Sequence, residues 1–137
     1  MHGMLWQEKL RHAGLRPTRQ RLALAELLFG QGDRHVTAEM LRAEAMKHAI
    51  PVSLATVYNT LHQFVNAGLL REVAIQGDKA FFDTNTSEHF HFVYEKEGRL
   101  VDISCQDVKI ENLPEIPAGN VISRIDVLIR LSPQRTR

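Results

Sequence analysis

The chain has 137 residues, 44% of them hydrophobic and 24% charged, the balance of a globular protein with one domain or two small ones. Seventeen Lys and Arg residues against sixteen Asp and Glu residues leave a net charge of +1, so charge alone indicates no partner. The single cysteine excludes an internal disulfide framework and a four-cysteine zinc site. No apolar run reaches the roughly 20 residues that cross a bilayer, and the start lacks a signal-peptide layout, so we expect a cytoplasmic protein without a membrane partner.

Charge is distributed unevenly along the chain. Residues 1–80 carry ten basic and seven acidic residues, whereas residues 81–137 carry seven and nine. Between Val52 and Arg71 there is no Asp or Glu. A surface that approaches phosphate excludes carboxylates, although a solvated helix face gives the same pattern over a run this short.

Three helices are predicted before residue 51. A short amphipathic helix runs from Leu5 to Ala13, and the next one follows a Thr18 cap and ends at Gly30. The third opens at Thr37, and we expect Ile50-Pro51 to end it, because the residue before a proline is displaced from helical geometry.

A fourth helix begins with Ser53 as its cap and closes at Asn66-Ala67-Gly68. One side is apolar, and the other presents small or polar residues suited to base edges: Ala55, Thr56, Asn59, His62 and Gln63. Only three residues separate this helix from the previous one, which predicts a helix-turn-helix with the second helix as reader. An ordinary helical bundle would show a similar pattern.

After Gly68 the spacing of the apolar residues changes from the period of a helix to the period of a strand. Leu69–Ile75 and Lys79–Thr84 flank a turn at Gln76-Gly77-Asp78, which predicts a hairpin, or wing, with Arg71 and Lys79 as phosphate contacts or as solvated charges. We therefore expect residues 1–84 to form a winged-helix DNA-binding domain.

The remaining residues, 85–137, are predicted to form a smaller α/β domain. Together with the winged-helix domain before it, this predicts an α+β fold for the whole chain. Phe90–Tyr94, Leu100–Ser104 and Ile122–Leu131 have the character of strands, and Ile103–Leu113 is expected to hold a short helix. About 53 residues bury little core alone, so we predict that this domain pairs with a second copy in a homodimer.

Histidines and acids gather at the junction of the two predicted domains. On a strand, His89 and His91 project from the same face and can converge on one ion. Asp83 and Asp102 offer oxygen ligands nearby, although each residue alone is equally typical of a turn or a surface. His35, taken by itself, could be only a residue that flanks a helix.

Several spaced motifs resemble the ferric uptake regulator family, in order and over nearly the whole chain. They are Leu15-Arg16-Pro17-Thr18-Arg19-Gln20-Arg21, His35-Val36-Thr37-Ala38-Glu39, Ala55-Thr56-Val57-Tyr58-Asn59-Thr60-Leu61 and His89-Phe90-His91. Three stretches look most like the iron response regulator branch: Arg16–Arg21, Leu54–Leu61 and the closing Arg124-Ile125-Asp126-Val127-x-Ile129-Arg130-Leu131.

The resemblance implies a dimeric regulator that binds an inverted-repeat operator in double-stranded DNA. The helix of residues 53–67 would enter the major groove, with Tyr58 on bases and with Ser53, Thr56 and Asn59 as further contacts. Arg16 and Arg19 would approach the backbone or the minor groove.

The resemblance also implies one divalent metal per chain, Fe, Mn or Zn, because its ligands carry nitrogen and oxygen but no thiolate. The implied ligands are His35, Asp83, His89 and His91, with Asp102 as a fifth ligand in the peroxide-sensing branch. The Cys-x-x-Cys pair of many relatives is replaced here by Tyr94 and Glu97, so we expect no structural zinc. Haem bound through His89 and His91 is a further expectation, although the chain has no Cys-Pro element and Phe90 interrupts the histidine triplet.

We therefore expect an iron- or haem-responsive DNA-binding regulator of iron and haem metabolism genes, and not an enzyme. A peroxide-sensing, metal-dependent repressor is the alternative within the same class. A metallohydrolase would use similar ligands, but His-Glu-x-x-His and a Gly-rich phosphate loop are missing from the sequence. A passive metal or haem carrier would have no need of a helix-turn-helix.

Overall fold

The computed structural model describes residues 2–76 and 79–135, and the chain divides into two compact units between Thr86 and Ser87. Helices predominate in the N-terminal unit, and the regular structure of the C-terminal unit consists of strands and one short 3-10 turn. The predicted α+β class is thereby confirmed. None of the described helices combines the length and hydropathy needed to span a membrane.

Over its described residues the N-terminal unit contains four helices, and three of them begin at a side-chain cap. The helices are α1 (His2–His12), α2 (Arg19–Phe29), α3 (Ala38–Lys47) and α4 (Leu54–Asn66). Thr18, Thr37 and Ser53 each accept a hydrogen bond from the backbone N–H three residues later, which satisfies a donor that the first turn leaves without an intrahelical partner. The predicted caps Thr18 and Ser53 are therefore confirmed, and Thr37 caps the helix that is predicted to open at this residue.

The end of α3 differs from the prediction. The helix stops at Lys47 and not at Ile50-Pro51, because Ala49 adopts a left-handed conformation with φ of 57°. The N–H groups of Ala49 and Ile50 then donate to the carbonyls of Met46 and Ala45, which closes the helix at Lys47, four residues before the proline. The predicted left-handed end of α4 is confirmed at Gly68, where φ is 80°.

Helices α3 and α4 are consecutive and lie beside a small antiparallel sheet. Its strands are β1 (His35–Val36), β2 (Arg71–Gln76) and β3 (Lys79–Asp83), in the order β1-β3-β2. Strands β2 and β3 form the expected hairpin, and its predicted turn at Gly77-Asp78 lies outside the described residues. Strand β1 is not predicted from the sequence, because two residues are too few to show a period.

One hydrophobic core holds the N-terminal unit together. It takes residues from all four helices, from β1 and β3, and from the connections. Phe64 on α4 is fully buried, and its ring centroid lies 6.1 Å from that of Phe29, which in turn lies 5.9 Å from Trp6. The apolar side of α4 is therefore packed in the core, and the opposite, polar side of the helix faces away from it.

The C-terminal unit is a three-stranded sheet of β4 (His89–Tyr94), β5 (Arg99–Ser104) and β6 (Leu128–Leu131), in the order β5-β4-β6. The strand predicted at Ile122–Leu131 is wrong in its first six residues. Leu128 is in parallel register with His91, so positions before Asp126 would extend past the start of β4 and have no ladder partner.

The short helix predicted within Ile103–Leu113 is present, as three residues of 3-10 helix over Cys105–Asp107. Ile103 belongs to β5, a single 3-10 turn spans Cys105–Asp107, and Asn112 adopts a left-handed φ of 60°, which an α-helix does not accommodate. Residues 109–126 are exposed throughout and contain several large apolar side chains: Ile110, Leu113, Ile116, Val121, Ile122 and Ile125. We call residues 109–126 the apolar segment.

Candidate metal groups and nucleic-acid surface

The N-terminal unit places two of the predicted ligands side by side. His35 on β1 is the register partner of Asp83 on β3, and its Nε2 lies 3.3 Å from Asp83 Oδ2. The Asp83 carboxylate is only 1% exposed, and its other oxygen accepts a hydrogen bond of 2.9 Å from the Asn85 N–H. A carboxylate buried this deeply requires compensation by donors or cations.

The C-terminal unit brings together the other three predicted ligands. His91 on β4 is the register partner of Asp102 on β5, and the buried faces of His89 and His91 point the same way because the two residues are two positions apart. Asp102 Oδ1 lies 3.4 Å from His89 Nε2 and 3.3 Å from His91 Nε2. The two imidazoles are 6% and 4% exposed.

The hydrogen bond of His89 fixes which of its two ring nitrogens carries the hydrogen and which one faces Asp102. Its Nδ1 lies 2.7 Å from the carbonyl oxygen of Ser87, and because a carbonyl only accepts, Nδ1 must carry the hydrogen. In the neutral imidazole, Nε2 then directs a lone pair toward the carboxylate of Asp102. Two lone pairs at this distance repel each other unless a proton or a metal cation lies between them, and a ring fixed through its other nitrogen is the usual arrangement of a metal-binding histidine.

The distances between the donor atoms also suit a bound ion. Ligands about 2.1 Å from a tetrahedrally coordinated metal lie about 3.4 Å from one another, and the three imidazole–carboxylate pairs of these groups are separated by 3.3 to 3.4 Å. Both groups therefore fit a divalent metal with imidazole and carboxylate ligands. The assignment of all five residues to one metal site stays a prediction.

The polar side of α4 forms part of a cleft of about 410 Å³ in the N-terminal unit. Of the predicted DNA contacts, Arg16, Thr56 and Asn59 line this cleft. Arg19 and Ser53 are exposed outside it, and Tyr58 is half-buried against the core. Thr56 and Ser53 also bond to each other through their hydroxyls, at 3.0 Å.

Arg21 is a residue of this surface to which the sequence assigns no role. Its Nε and Nη2 donate to Gln63 Oε1 on α4 at 3.3 and 3.0 Å, and its Nη1 donates to the carbonyl of Arg16 at 2.9 Å. One guanidinium thus ties the loop of Arg16 to the helix of Gln63. The basic character of Arg21 is visible in the sequence, but its partner 42 residues away is not.

Two carboxylates meet α4 although the helix itself has none. The Tyr58 hydroxyl donates to Glu39 Oε1 on α3 at 3.0 Å. On the wing, Glu72 Oε1 lies 3.4 Å from His62 Nε2. The acid-free stretch in the sequence is therefore not acid-free in space, because α3 and β2 supply the charges from outside it.

Comparison with known proteins gives a consistent result. A model of the ferric uptake regulator family matches residues 12–126. The chain is 37% identical over 94 residues to the peroxide-responsive repressor PerR of Staphylococcus epidermidis, covering 68% of this chain and 61% of that protein. The PerR of Staphylococcus aureus strain Mu50 is 34% identical over 108 residues, covering 77% of this chain and 72% of that protein.

A solved structure resembles the chain over nearly its full length. The ferric uptake regulator of Pseudomonas aeruginosa, whose structure was determined with manganese, aligns with a TM-score of 0.74 and 25% identity. The alignment covers 96% of this chain and all of that one. By contrast, the chain spans about three fifths of the length of the S. epidermidis repressor.

Proposed function

Since this chain belongs to the ferric uptake regulator family, we propose that it is a metal-dependent transcriptional repressor that binds operator DNA as a homodimer. The observation that carries the proposal is the pairing, in one chain, of a helix-turn-helix with two oriented groups of imidazole and carboxylate ligands. We assign it a regulatory and not an enzymatic role, in the cytoplasm.

The metal would be one divalent ion per chain, Fe, Mn or Zn. The His35–Asp83 pair offers two donors and the group of His89, His91 and Asp102 offers three, so neither alone supplies four protein ligands to one ion. We infer that both groups bind the same ion, which would link the two units and select one arrangement of the DNA-reading helices. A structural four-cysteine zinc is not part of the proposal, since the chain has one cysteine.

Dimerisation is supported by the apolar segment of the C-terminal unit. Val121 is 87% exposed, Leu113 51% and Ile122 47% in the single chain. Several large apolar side chains exposed along one segment are typical of a protein interface. A second copy would cover it and would place two reading helices against the two halves of an inverted repeat.

Peroxide is the effector with the better support. Both staphylococcal relatives are named peroxide-responsive repressors, which favours this alternative over iron or haem sensing. With Fe(II) at the site, hydrogen peroxide would add one oxygen atom to a ring carbon of His35 or His89, and the other oxygen would leave as water. The altered ring is a poorer ligand, so the metal and then the DNA would be released.

Iron-responsive regulation is the second candidate, because the motifs at Arg16–Arg21 and Leu54–Leu61 resemble the iron response regulator branch. Haem binding through His89 and His91 stays a prediction. Neither the named relatives nor the geometry of these two buried imidazoles supports it.

The metal and its effector are tested together. Mn(II)- and Fe(II)-loaded protein is bound to a duplex that the wild-type protein enriches from a randomised library, and peroxide is then added. We expect DNA release and one added oxygen on His35 or His89 in the Fe(II) form, with the Mn(II) form unchanged. An Fe(II) form that releases DNA without gaining oxygen would exclude this mechanism.

The metal ligands are tested by substitution. His89→Ala should weaken metal binding at least 100-fold and abolish metal-dependent DNA binding, with thermal unfolding nearly unchanged. His12→Ala removes an exposed imidazole on α1 and should change neither property. A global loss of folding in His89→Ala would indicate a structural site instead.

The DNA surface is tested by two variants with different expected signatures. Tyr58→Ala should lower affinity for the enriched duplex about tenfold more than for a scrambled duplex, because a base contact is sequence-specific. Arg19→Ala should weaken binding to both duplexes equally and reduce the salt dependence, as expected of a phosphate contact. Equal losses on both duplexes for Tyr58→Ala would contradict its assignment to bases.

A further inference from the structure

The hydrogen bond between Glu39 and Tyr58 gives a role to a residue outside the predicted DNA contacts. We propose that Glu39 is a positioning residue that holds the Tyr58 ring in the orientation for base contact and thereby contributes to sequence specificity. This inference rests on the proposed DNA-binding function. It deepens that function by assigning part of the specificity to α3 and not to the reading helix.

Tyr58 lies at the border between the packed and the polar side of α4. Its ring is half-buried and packs against the hydrophobic core, while its neighbours Thr56 and Asn59 line the cleft. The ring centroid of His62, one turn later, lies 6.2 Å away. A ring at this border can swing toward the core edge or toward the DNA, and only one of these orientations presents it to a base.

Glu39 is well placed to select one orientation. It occupies the first turn of α3, directly after the Thr37 cap and beside Ala38, which is 1% exposed. The Thr37 hydroxyl accepts the Met40 N–H at 3.1 Å, so the backbone that carries Glu39 is held at both the cap and the core. Its carboxylate accepts the Tyr58 hydroxyl hydrogen at 3.0 Å. An acceptor on a rigid element restricts the ring before DNA arrives, which lowers the entropic cost of the contact.

The negative charge of Glu39 has a separate effect. A carboxylate beside a surface that approaches phosphate repels every DNA sequence alike, so its removal should strengthen binding to any duplex. At about 7 Å in a water-like medium the repulsion amounts to about a threefold change in affinity for each copy. The hydrogen bond and the charge can therefore be separated by measuring two duplexes with each variant.

The experiment compares four full-length, Mn(II)-loaded proteins: Glu39→Gln, Glu39→Ala, Tyr58→Phe and the Glu39→Ala/Tyr58→Phe double variant. Each is titrated with the duplex enriched by the wild-type protein and with a scrambled duplex of the same composition. The ratio of the two dissociation constants is the measure of specificity. Glu97→Gln, the same chemical change at an exposed position of the C-terminal unit, is the control and should leave the ratio unchanged.

Glu39→Ala and Tyr58→Phe should each lower the ratio about tenfold, and the double variant should lower it no further, because all three remove the same hydrogen bond. Glu39→Gln keeps an oxygen acceptor and should retain the ratio within about twofold, although it binds both duplexes more tightly. Equal ratios for Glu39→Gln and Glu39→Ala would overturn the proposal, as would multiplicative losses in the double variant.

A second measurement needs no DNA. The chain has two tyrosines, so uniform 3-fluorotyrosine labelling gives one fluorine signal for Tyr58 and one for Tyr94. In Glu39→Ala only the Tyr58 signal should shift, with an unchanged unfolding temperature. A Tyr58 signal that does not move would overturn this inference and leave the proposed DNA-binding function standing. Failure of the wild-type protein to enrich any duplex would refute the proposed function and this inference with it.

Discussion

The two units bury their apolar residues to different degrees. In the N-terminal unit, long side chains such as Leu24, Leu41 and Phe64 are completely buried in one continuous core. In the C-terminal unit the described sheet buries Val93, Leu100 and Ile103, while the apolar segment lies exposed. Similar apolar content therefore leads to a closed core in one unit and to open apolar surface in the other.

This difference follows from what each unit can pack against itself. Four helices and a small sheet cover one another's apolar sides within about 80 residues. A three-stranded sheet with a long unpaired connection has too little chain to cover both of its faces. We infer that the N-terminal unit is stable as a monomer, whereas the C-terminal unit depends on a partner.

The largest expected effect tests the self-sufficient core of the N-terminal unit. Phe64→Ala deletes a fully buried ring that packs against Phe29 and should lower the free energy of unfolding by about 3–5 kcal/mol. The loss should be independent of protein concentration, since residues of the N-terminal unit itself surround Phe64. Chemical denaturation at two concentrations measures it, and a loss below about 1 kcal/mol would contradict a single continuous core.

A somewhat smaller effect tests the dependence of the C-terminal unit on a partner. Ile122→Asp places a carboxylate on the apolar segment and should weaken the dimer about 100-fold, or about 2.7 kcal/mol, because a charge is buried at the interface. Sedimentation equilibrium measures the dissociation. The control Leu5→Asp introduces the same charge at an apolar residue of α1 that is 56% exposed, against 47% for Ile122, and should leave the dimer intact. If the wild-type protein were monomeric at all concentrations, the proposed dimer interface would be refuted.

The smallest effect compares the two left-handed residues of the described chain that are not glycine, one in each unit. Ala49 at φ of 57° pays a steric cost that glycine avoids, and it is exposed, so Ala49→Gly should stabilise the protein by about 0.5 kcal/mol. Asn112 at φ of 60° tolerates this conformation, and Asn112→Gly should change stability by less than about 0.3 kcal/mol. Thermal unfolding of both variants checks the order. A destabilising Ala49→Gly would show that α3 does not end as described.

Local signals predict the N-terminal unit better than the C-terminal unit. Thr18, Thr37 and Ser53 are recognisable as caps because capping needs only a side-chain oxygen and the next turn of the same helix. The strand at Ile122–Leu131 is predicted too long because alternation describes a side-chain pattern and not the presence of a neighbouring strand. The short β1 strand exists only through its pairing with β3.

The candidate site also has features that local sequence predicts and features that long-range contacts determine. The residue types of the metal ligands are visible in the sequence, and so is the His89-x-His91 spacing, because two residues on one strand share a face by geometry alone. The pairing of His35 with Asp83 and of His91 with Asp102 depends on strand register, which is set by long-range contacts. The orientation of the His89 ring depends further on the carbonyl of Ser87.

The family, the α+β class, the helix caps and the identity of the donor atoms can all be read from residue types and short-range spacing. Which side chains meet depends on the three-dimensional fold. Glu39 reaches Tyr58, Arg21 reaches Gln63 and Asp102 reaches both histidines of its unit across gaps that no local pattern spans. The physical reason is that such contacts are fixed by the packing of whole helices and strands, whose mutual placement is a property of the folded core.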